Sequence, residues 1–332
     1  MASWVEVAVW YRQRRTRLAR GHQSVCARVI AVAWMVGICF TALAVLPAEA
    51  DTKRKTPQKT ESNDIPQVPD DQIFGFTSPT GVGEVGEKGF ATELDGRLTK
   101  RDGSYNGFNS KSELGYTFAK DWWIGGSFFG GWDRIKGVAG FRDVNIGGFD
   151  GLSFELQHVF ITRSADNPFA AAFAIEPRWA RFDPVAGLRS ETINAAVKLL
   201  VDAIIVPDRI FWAANFNWVP QTAQNDDDRR FWISTSTSLI STALTFQLSK
   251  TLFVGAEARH LGQYDTGTMR QRLGYAIYVG PTLAWKLTDK IIFNATWQPQ
   301  VSGRSSSHYN LRYDLDNFER TQFRAKISMG LD

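Results

Sequence analysis

The chain has 332 residues, of which 38 are Lys or Arg and 34 are Asp or Glu, so its formal net charge is +4. Six arginines and two glutamates lie in residues 1–50, which leaves 38 − 6 = 32 basic and 34 − 2 = 32 acidic residues in the remainder. The basic balance therefore gives no argument for a nucleic-acid partner. Both cysteines, Cys26 and Cys39, also lie in residues 1–50, which excludes a disulfide or a cysteine-based metal site from the rest of the chain.

Residues 1–50 have the organisation of a secretory signal peptide. An arginine-rich region is followed by a nearly continuous apolar run at residues 29–46, and Ala48-Glu49-Ala50 has the small-x-small pattern of a cleavage site. We predict cleavage before Asp51, with an uncleaved anchor helix as the alternative. No run of 18 or more apolar residues follows, which excludes membrane-spanning helices from the processed chain.

Residues 51–87 are rich in Lys, Thr, Pro, Asp and Gly and show no hydrophobic period, so we predict a flexible N-terminal extension. Its apolar cluster at residues 73–76 (Ile-Phe-Gly-Phe) is a candidate for docking at the mouth of the domain that follows. Residues 81–86 match GxGxxG. The motif leads into a strand instead of opening a helix, and we therefore interpret it as a chance match and not a dinucleotide site.

Two neighbouring segments, residues 273–286 and 291–301, show a β-strand pattern most clearly. In the first, every second residue from Leu273 to Trp285 is apolar or proline, and the residues between them are small or polar. Successive side chains on a strand point to opposite faces, so each segment has one apolar side. The short break at 287–290 folds the pair into an antiparallel hairpin.

The chain from residue 88 onward divides into about twelve such segments, separated by clusters of Gly, Pro, Asp or Asn. The apolar registers run for about the 9–11 residues that a tilted strand needs to cross a bilayer. Trp285 and Trp297 lie towards the predicted strand ends, where an aromatic girdle would place them. We predict an all-β fold, a transmembrane antiparallel up-and-down β-barrel of about twelve strands over residues 88–332. Residues 230–241 have an ambiguous register, which predicts a β-bulge.

The predicted connections differ in length in a regular way. Short breaks alternate with longer, more polar ones. The short ones are 119–121, 162–168, 206–208, 249–251 and 287–290; the long ones are 99–107, 133–148, 183–191, 220–230, 262–271 and 302–317. Outer-membrane barrels have short periplasmic turns and longer outer loops, so this alternation predicts both termini on the periplasmic side.

The signal peptide, the alternating strands, the aromatic strand ends and the amphipathic segment at residues 322–331 together resemble Gram-negative outer-membrane β-barrel proteins of porin or transporter type. The resemblance covers about residues 88–332 and is at the level of the class. It implies a location in the bacterial outer membrane, contacts with outer-membrane lipid and lipopolysaccharide, and insertion by the barrel-assembly machinery. Such proteins usually end on an aromatic residue, whereas this chain ends Leu331-Asp332, which implies a weaker insertion signal.

The predicted inward register carries charges of both signs, which stay ionised only if they are paired or hydrated. We predict that these side chains line the lumen and set its selectivity: Glu93, Asp95, Arg97, Lys111, Glu113, Glu155, Glu176, Arg178, Lys198, Glu257, Arg259, Lys286, Arg320, Arg324 and Lys326. The cationic cluster on the last strand favours anionic solutes unless the first strand neutralises it across the closing seam, which is the interpretation we prefer. Tryptophans near the strand ends are predicted membrane-interface anchors: Trp122, Trp132, Trp179, Trp212, Trp218 and Trp285.

About twelve strands lie between the eight whose interior side chains nearly fill and the 16–18 that leave an open channel. The sequence therefore predicts a narrow pore or transporter for small solutes, with no cofactor and no metal. A lipid-modifying hydrolase and a non-conducting structural barrel are the alternatives. The three histidines after residue 50, His158, His260 and His308, lack the partner spacing of a barrel hydrolase. The acidic run at residues 225–228 is a candidate cation site, which we interpret as solvated loop charge.

Overall fold

A computed structural model describes residues 72–164, 166–183, 186–224 and 228–331. The predicted signal peptide, residues 51–71 of the extension and most of the acidic run at 225–228 lie outside the described residues. Among the described residues, no helix is long and apolar enough to cross a membrane.

The described part of the chain forms twelve strands that close into one antiparallel barrel, in which each strand pairs with its neighbours in sequence and β1 pairs with β12. The strands are β1 (Lys88–Leu98), β2 (Ser104–Ala119), β3 (Trp122–Lys136), β4 (Val144–Ile161), β5 (Phe169–Phe182), β6 (Arg189–Val206), β7 (Ile210–Gln224), β8 (Trp232–Gln247), β9 (Leu252–Tyr264), β10 (Arg272–Lys286), β11 (Ile291–Ser305) and β12 (Thr321–Gly330). The predicted fold class is confirmed.

Pairing of β1 with β12 runs from Gly89 opposite Gly330 to Leu98 opposite Thr321 without a register shift. The closing seam therefore leaves no exposed strand edge, as a membrane barrel requires because lipid offers no hydrogen bonds. We call the end of the barrel with the short connections 162–168, 207–209, 248–251 and 287–290 the periplasmic end.

The strands extend further at the outer end than the sequence pattern predicted. β4 and β6 each have 18 residues, and the outer connections shrink to 99–103, 137–143, 183–188, 225–231, 265–271 and 306–320. A small apolar cluster explains part of this difference. Tyr105, Ile135 and Val138 are buried together at the outer end of the barrel and pack against Phe141 and Val144, where β2, β3 and β4 stay paired.

Apolar side chains cover the outer surface of the barrel. Predicted outward residues such as Leu114, Phe128, Leu152 and Leu199 are exposed, whereas the opposite register is buried and mainly small, polar or charged.

The prediction of a β-bulge at residues 230–241 is wrong, because β8 pairs with both neighbours without a register shift. Part of this stretch contacts the outer connection 265–271, where the Ser236 hydroxyl donates to the Thr268 carbonyl at 3.1 Å.

The tryptophans that the sequence analysis singled out lie at different heights. Trp122, Trp212 and Trp285 are near the periplasmic ends of their strands, and Trp132, Trp179 and Trp218 are nearer the outer ends. Their role as interface anchors stays a prediction. Trp297, by contrast, is exposed near the middle of β11 and not at its end.

With its apolar surface and closed sheet, the protein is a bacterial outer-membrane β-barrel.

A charge on the outward face tests this orientation. Leu199→Arg, near mid-strand on β6, is expected to lower the free energy of unfolding by about 2–4 kcal/mol, since arginine at the bilayer midplane loses its hydration. Leu248→Arg, in a periplasmic connection, is the matched control and is expected to cost about 0–1 kcal/mol. Urea titration of the protein refolded into lipid bilayers measures both values. Equal destabilisation by the two substitutions would contradict a lipid-facing position for Leu199.

Candidate functional site

The chain before β1 lies inside the barrel. We call residues 72–87 the inner segment. Asn294 on β11 donates hydrogen bonds from its Nδ2 to the carbonyl oxygens of Gln72 (3.1 Å) and Phe74 (2.5 Å). Ile73 and Phe74 are buried against an apolar ring at the periplasmic end of the lumen, formed by Ile204, Phe211, Ala213, Ala243, Phe253, Ala284 and Ile292. Burial of these two side chains supplies the hydrophobic part of the docking.

Gly75 brings the inner segment against the barrel wall. A Cβ atom at this position would lie 2.5 Å from Glu257 Oε2 and 2.9 Å from Thr282 Cγ2 and Thr296 Cβ. Any side chain larger than hydrogen would therefore push the segment away from β9, β10 and β11. Glycine is needed here for this close approach.

Next to Gly75, the inner segment binds a buried carboxylate near the middle of the lumen. The Phe76 backbone N–H donates to Glu257 Oε2 at 2.9 Å, and the Thr77 hydroxyl donates to Glu257 Oε1. Thr77 also lies 2.9 Å from the Ser241 hydroxyl. Gln298 supplies a third donor to the same carboxylate, from Nε2 at 2.5 Å. Hydrogen bonds thus satisfy Glu257, and no cation lies within 4.0 Å of it among the described residues.

The inner segment then crosses the lumen and returns to the periplasmic end. The Thr80 N–H and hydroxyl donate to Asp202 Oδ2 on β6 at 2.6 and 2.7 Å, and Arg163 forms an ion pair with the same carboxylate. Gln157 on β4 donates to the Thr80 carbonyl at 2.9 Å. The Gly86 N–H, at a positive φ of 99°, donates to a β2 carbonyl at 2.8 Å before β1 begins.

This location differs from the flexible extension expected for residues 51–87. The apolar ring and the two acidic wall residues hold the described part of that extension. The cluster at residues 73–76, considered as a docking element, does contact the barrel, although inside the lumen and not at its rim.

A second element occupies the lumen from the outer end. We call the connection between β11 and β12, residues 306–320, the outer loop. Phe318 is buried against Tyr278 and Ala276, and the Tyr278 hydroxyl donates to the Glu319 carbonyl at 2.6 Å. Gln300 Nε2 donates to the same carbonyl at 3.3 Å.

Five of the predicted lumen residues form what we call the central network, on β2, β4, β5 and β6. Lys198 Nζ lies 2.9 Å from Glu155 and 2.6 Å from Glu176, and Lys111 Nζ lies 2.7 Å from Glu113 and 3.3 Å from Glu176. Their side chains keep 10–19% of their surface exposed, so these charges are both paired and in contact with water. The central network needs no contact from the inner segment.

A second group lies at the closing seam. Arg324 on β12 donates to both carboxylate oxygens of Asp95 on β1, at 2.7 and 2.8 Å, and lies 3.3 Å from Glu93. Lys326 lies opposite Glu93 in the strand pairing. Arg324, a cation of the last strand, is therefore paired with two acids of the first strand, in agreement with the neutralised arrangement that the sequence analysis preferred.

The other predicted lumen residues lie apart from these groups. Arg97 pairs with Asp133 at the outer end at 3.3 Å, and Arg178 pairs with Asp150. Arg320 donates to the Gln300 carbonyl and to the Tyr313 hydroxyl. Lys286 lies at the periplasmic rim, 3.9 Å from the exposed Asp289. Glu257 and Arg259 contact the inner segment.

Several residues of the lumen were missed by sequence reasoning. Asp133 was placed in a loop, Tyr278 was placed only in the small or polar register, and neither Phe318 nor the inner segment was placed in the lumen. The apolar cluster at residues 73–76, inside an otherwise polar extension, was the one available signal.

The histidines do not assemble a hydrolase site. His158 stacks on Trp122 at 4.1 Å, and His260 stacks on a neighbouring tyrosine. His308 Nδ1 lies 2.8 Å from Asp316 in the outer loop, and within the described ranges no serine hydroxyl lies within hydrogen-bond distance of its ring. Among the described residues, no serine, histidine and acid are therefore arranged as a catalytic triad around these three histidines.

Comparisons with known proteins agree with the architecture. A family model described as a family of unknown function (DUF6662) matches residues 66–331. The comparison with curated proteins gave no match. A solved structure of the COG4313 outer membrane channel from Pseudomonas putida F1 covers 76% of this chain and 98% of its own, with a TM-score of 0.52 and 11% identity. The NanC porin covers 72% and 98%, with a TM-score of 0.44 and 9% identity. At 11% identity, the similarity to the COG4313 channel establishes a shared fold alone.

The outer loop is expected to loosen in acid. Burial opposes ionisation of Glu319, but Lys100, Arg97 and a hydrogen bond from Gln322 outweigh it, so the pKa of Glu319 lies below its ordinary value. A depressed carboxylate pKa stabilises the folded loop above about pH 4.5, and this contribution is lost as pH falls through the depressed value. Pepsin cleavage after Phe318, followed by mass spectrometry, should increase only as the pH falls below the ordinary glutamate pKa.

Glu319→Gln is the control for this prediction. It removes the charge at every pH, so cleavage of the variant at pH 5 should already match that of the wild type in stronger acid. Identical cleavage of the two proteins from pH 5 downward would show that the ionised carboxylate does not hold the loop.

Proposed function

The chain belongs to DUF6662, a family of unknown function, and we propose that this member is a narrow outer-membrane channel for small polar solutes, obstructed at rest by its own inner segment. The inner segment carries this proposal because it fills the lumen without being part of the wall.

The barrel sheet is complete without the inner segment. β1 pairs along its length with β12 and β2, and all twelve described strands lie outside residues 72–87. Both ends of the segment lie at the periplasmic end, since its first described residue contacts Asn294 near the start of β11 and its last residue precedes β1. The segment can therefore leave the lumen towards the periplasm without breaking the strand ladder from Gly89 onward.

Withdrawal of the segment would open a charge-lined lumen from the periplasmic end up to the outer loop, which still occupies the outer end. The central network and the Arg324–Asp95 pair are made between wall residues, so they survive without the segment. Phe76 is half-buried and Ser78 is exposed inside the barrel, so the lumen has space for water at this depth. A lumen of this kind selects solutes by size and by rings of charge.

The balance of charge favours small polar solutes over strongly charged ones. The central network has three carboxylates and two ammonium groups, and at the closing seam Arg324 is paired with Asp95 and Glu93. We propose that the predicted lumen residues set this modest selectivity. Similarity to a protein described as an outer membrane channel is consistent with the proposal.

The predicted segmentation changes in one respect. We propose a signal peptide at 1–50, an extension from residue 51 whose end is the inner segment, and the barrel from residue 88. Contacts with lipopolysaccharide and assembly by the barrel-assembly machinery stay predictions.

Gly75→Ala tests the obstruction. Overpacking costs about 1–3 kcal/mol, and 1.4 kcal/mol is a factor of about ten in an equilibrium. The substitution should therefore raise the open probability in planar bilayers by about tenfold, because the new methyl group collides with Glu257, Thr282 and Thr296.

Gly126→Ala is the matched control, since a Cβ at this outward-facing position on β3 meets no atom within 4 Å. Its conductance should equal that of the wild type. A deletion of residues 72–83, with folding verified by heat-modifiable gel mobility, completes the series. If neither the deletion nor Gly75→Ala conducts at any voltage, the protein is a structural barrel and the proposal fails.

A further inference from the structure

We propose that the pocket occupied by Phe76 is the solute-binding site of the open channel, and that it takes small aromatic molecules carrying a hydrogen-bond donor, such as a phenol or an aromatic amine. This inference rests on the proposed function, because a solute reaches the pocket only when the inner segment leaves it. Phe76 and Thr77 are then the chain's own substitute for that solute.

Two arginine side chains define the aromatic part of the pocket. The guanidinium carbon of Arg259 lies 3.5 Å from the centroid of the Phe76 ring, and that of Arg324 lies 4.5 Å from it. Guanidinium groups this close to a ring attract it through cation–π interaction and stacking. Tyr278, whose ring centroid is 5.4 Å from the Arg259 guanidinium, adds another aromatic surface.

Wall residues hold both guanidinium groups without help from Phe76. Arg259 donates from Nε to Gln298 at 2.6 Å and from a terminal nitrogen to Gln322 at 2.7 Å. Arg324 is bound in a bidentate manner by Asp95. The pocket therefore keeps its shape when the inner segment leaves, and a preorganised site loses little entropy on binding.

The same contacts decide which chemistry the pocket selects. The Nε and one terminal nitrogen of each arginine already have acceptors in the barrel wall, so fewer donors remain for an incoming carboxylate or phosphate. Both guanidinium groups lie close to the Phe76 ring. An aromatic ring matches this arrangement better than an anion does.

Glu257 supplies the polar part of the pocket. It is buried, and two of its three protein donors, the Phe76 N–H and the Thr77 hydroxyl, belong to the inner segment. Withdrawal leaves this carboxylate with Gln298 alone, and a buried carboxylate short of donors is costly. A solute with an O–H or N–H group beside its ring restores the missing bonds.

Solute and inner segment then compete for one site. A molecule that binds only when Phe76 is absent shifts the population towards the open state in proportion to its occupancy. The channel would accordingly open in response to its own solute.

Tyramine is a suitable probe, because it has a phenol ring and an ammonium group; 4-(2-aminoethyl)cyclohexanol is its non-aromatic match, and phenylacetate is an aromatic anion of similar size. Calorimetric titration of the full-length Phe76→Ala protein in detergent should show tyramine binding at least about tenfold tighter than in the wild type, since the competing ring is gone. Arg259→Lys in the Phe76→Ala background keeps the charge but loses the planar face, and should weaken binding at least about fivefold.

Any of three results would refute the proposed binding pocket. They are no binding of tyramine to Phe76→Ala, binding of the cyclohexyl compound as tight as that of tyramine, and binding of phenylacetate tighter than that of tyramine. Folding of each variant is checked by heat-modifiable mobility. Bilayer recording separates this inference from the proposed function. If Gly75→Ala conducts but Phe76→Ala binds no tyramine, the proposed channel function is supported and the proposed binding pocket is refuted. If tyramine binds but no variant conducts, the binding pocket is supported and the channel function is refuted.

Discussion

Closure of the sheet between β1 and β12 is the constraint on which the rest of the structure depends. It satisfies the backbone of both terminal strands in a surrounding that offers no hydrogen bonds. It also brings Asp95 and Glu93 next to Arg324, so that charges 229 residues apart in the Arg324–Asp95 case neutralise each other. Because β1 begins at the periplasmic end, the inner segment joins it at the mouth of the lumen.

Inside the lumen, the arrangement of side chains is determined by the need of each charged group for a partner. Outward-facing side chains meet hydrocarbon and need no partner, whereas each inward-facing charge must find an opposite charge, an amide or water. The central network solves this with wall residues alone. Glu257 and Asp202 solve it with backbone and hydroxyl groups of the inner segment. The second arrangement makes these two carboxylates sensitive to the position of a part of the chain that is not in the wall.

The fold followed from the sequence because strand alternation is a local signal. The segments at 273–286 and 291–301 already paired their apolar and polar registers correctly, and β10 and β11 form that hairpin. The inward charges followed from the same alternation. Their partners were harder to predict, since Asp133 pairs with Arg97 only because β3 continues past the bilayer.

The inner segment was not predictable in the same way. Its contacts join residues separated by 181 positions for Phe76 and Glu257 and by 122 for Thr80 and Asp202. Its composition by itself indicates disorder, because its five apolar residues (Ile73, Phe74, Phe76, Val82 and Val85) cannot bury themselves without the barrel. The outer loop posed a similar problem, with one buried aromatic residue, Phe318, in a polar connection.

The covalent link between the inner segment and β1 has a consequence for competition between the segment and a solute. Because both are on the same polypeptide, the segment is present at the lumen at an effective concentration of about millimolar, whatever the amount of protein in the membrane. A soluble molecule that competes with the inner segment for the same site must reach that concentration or bind the site more tightly. Such a channel would therefore open at high solute concentrations and stay closed at low ones. The number of residues that link the segment to β1 would set the solute concentration at which it opens.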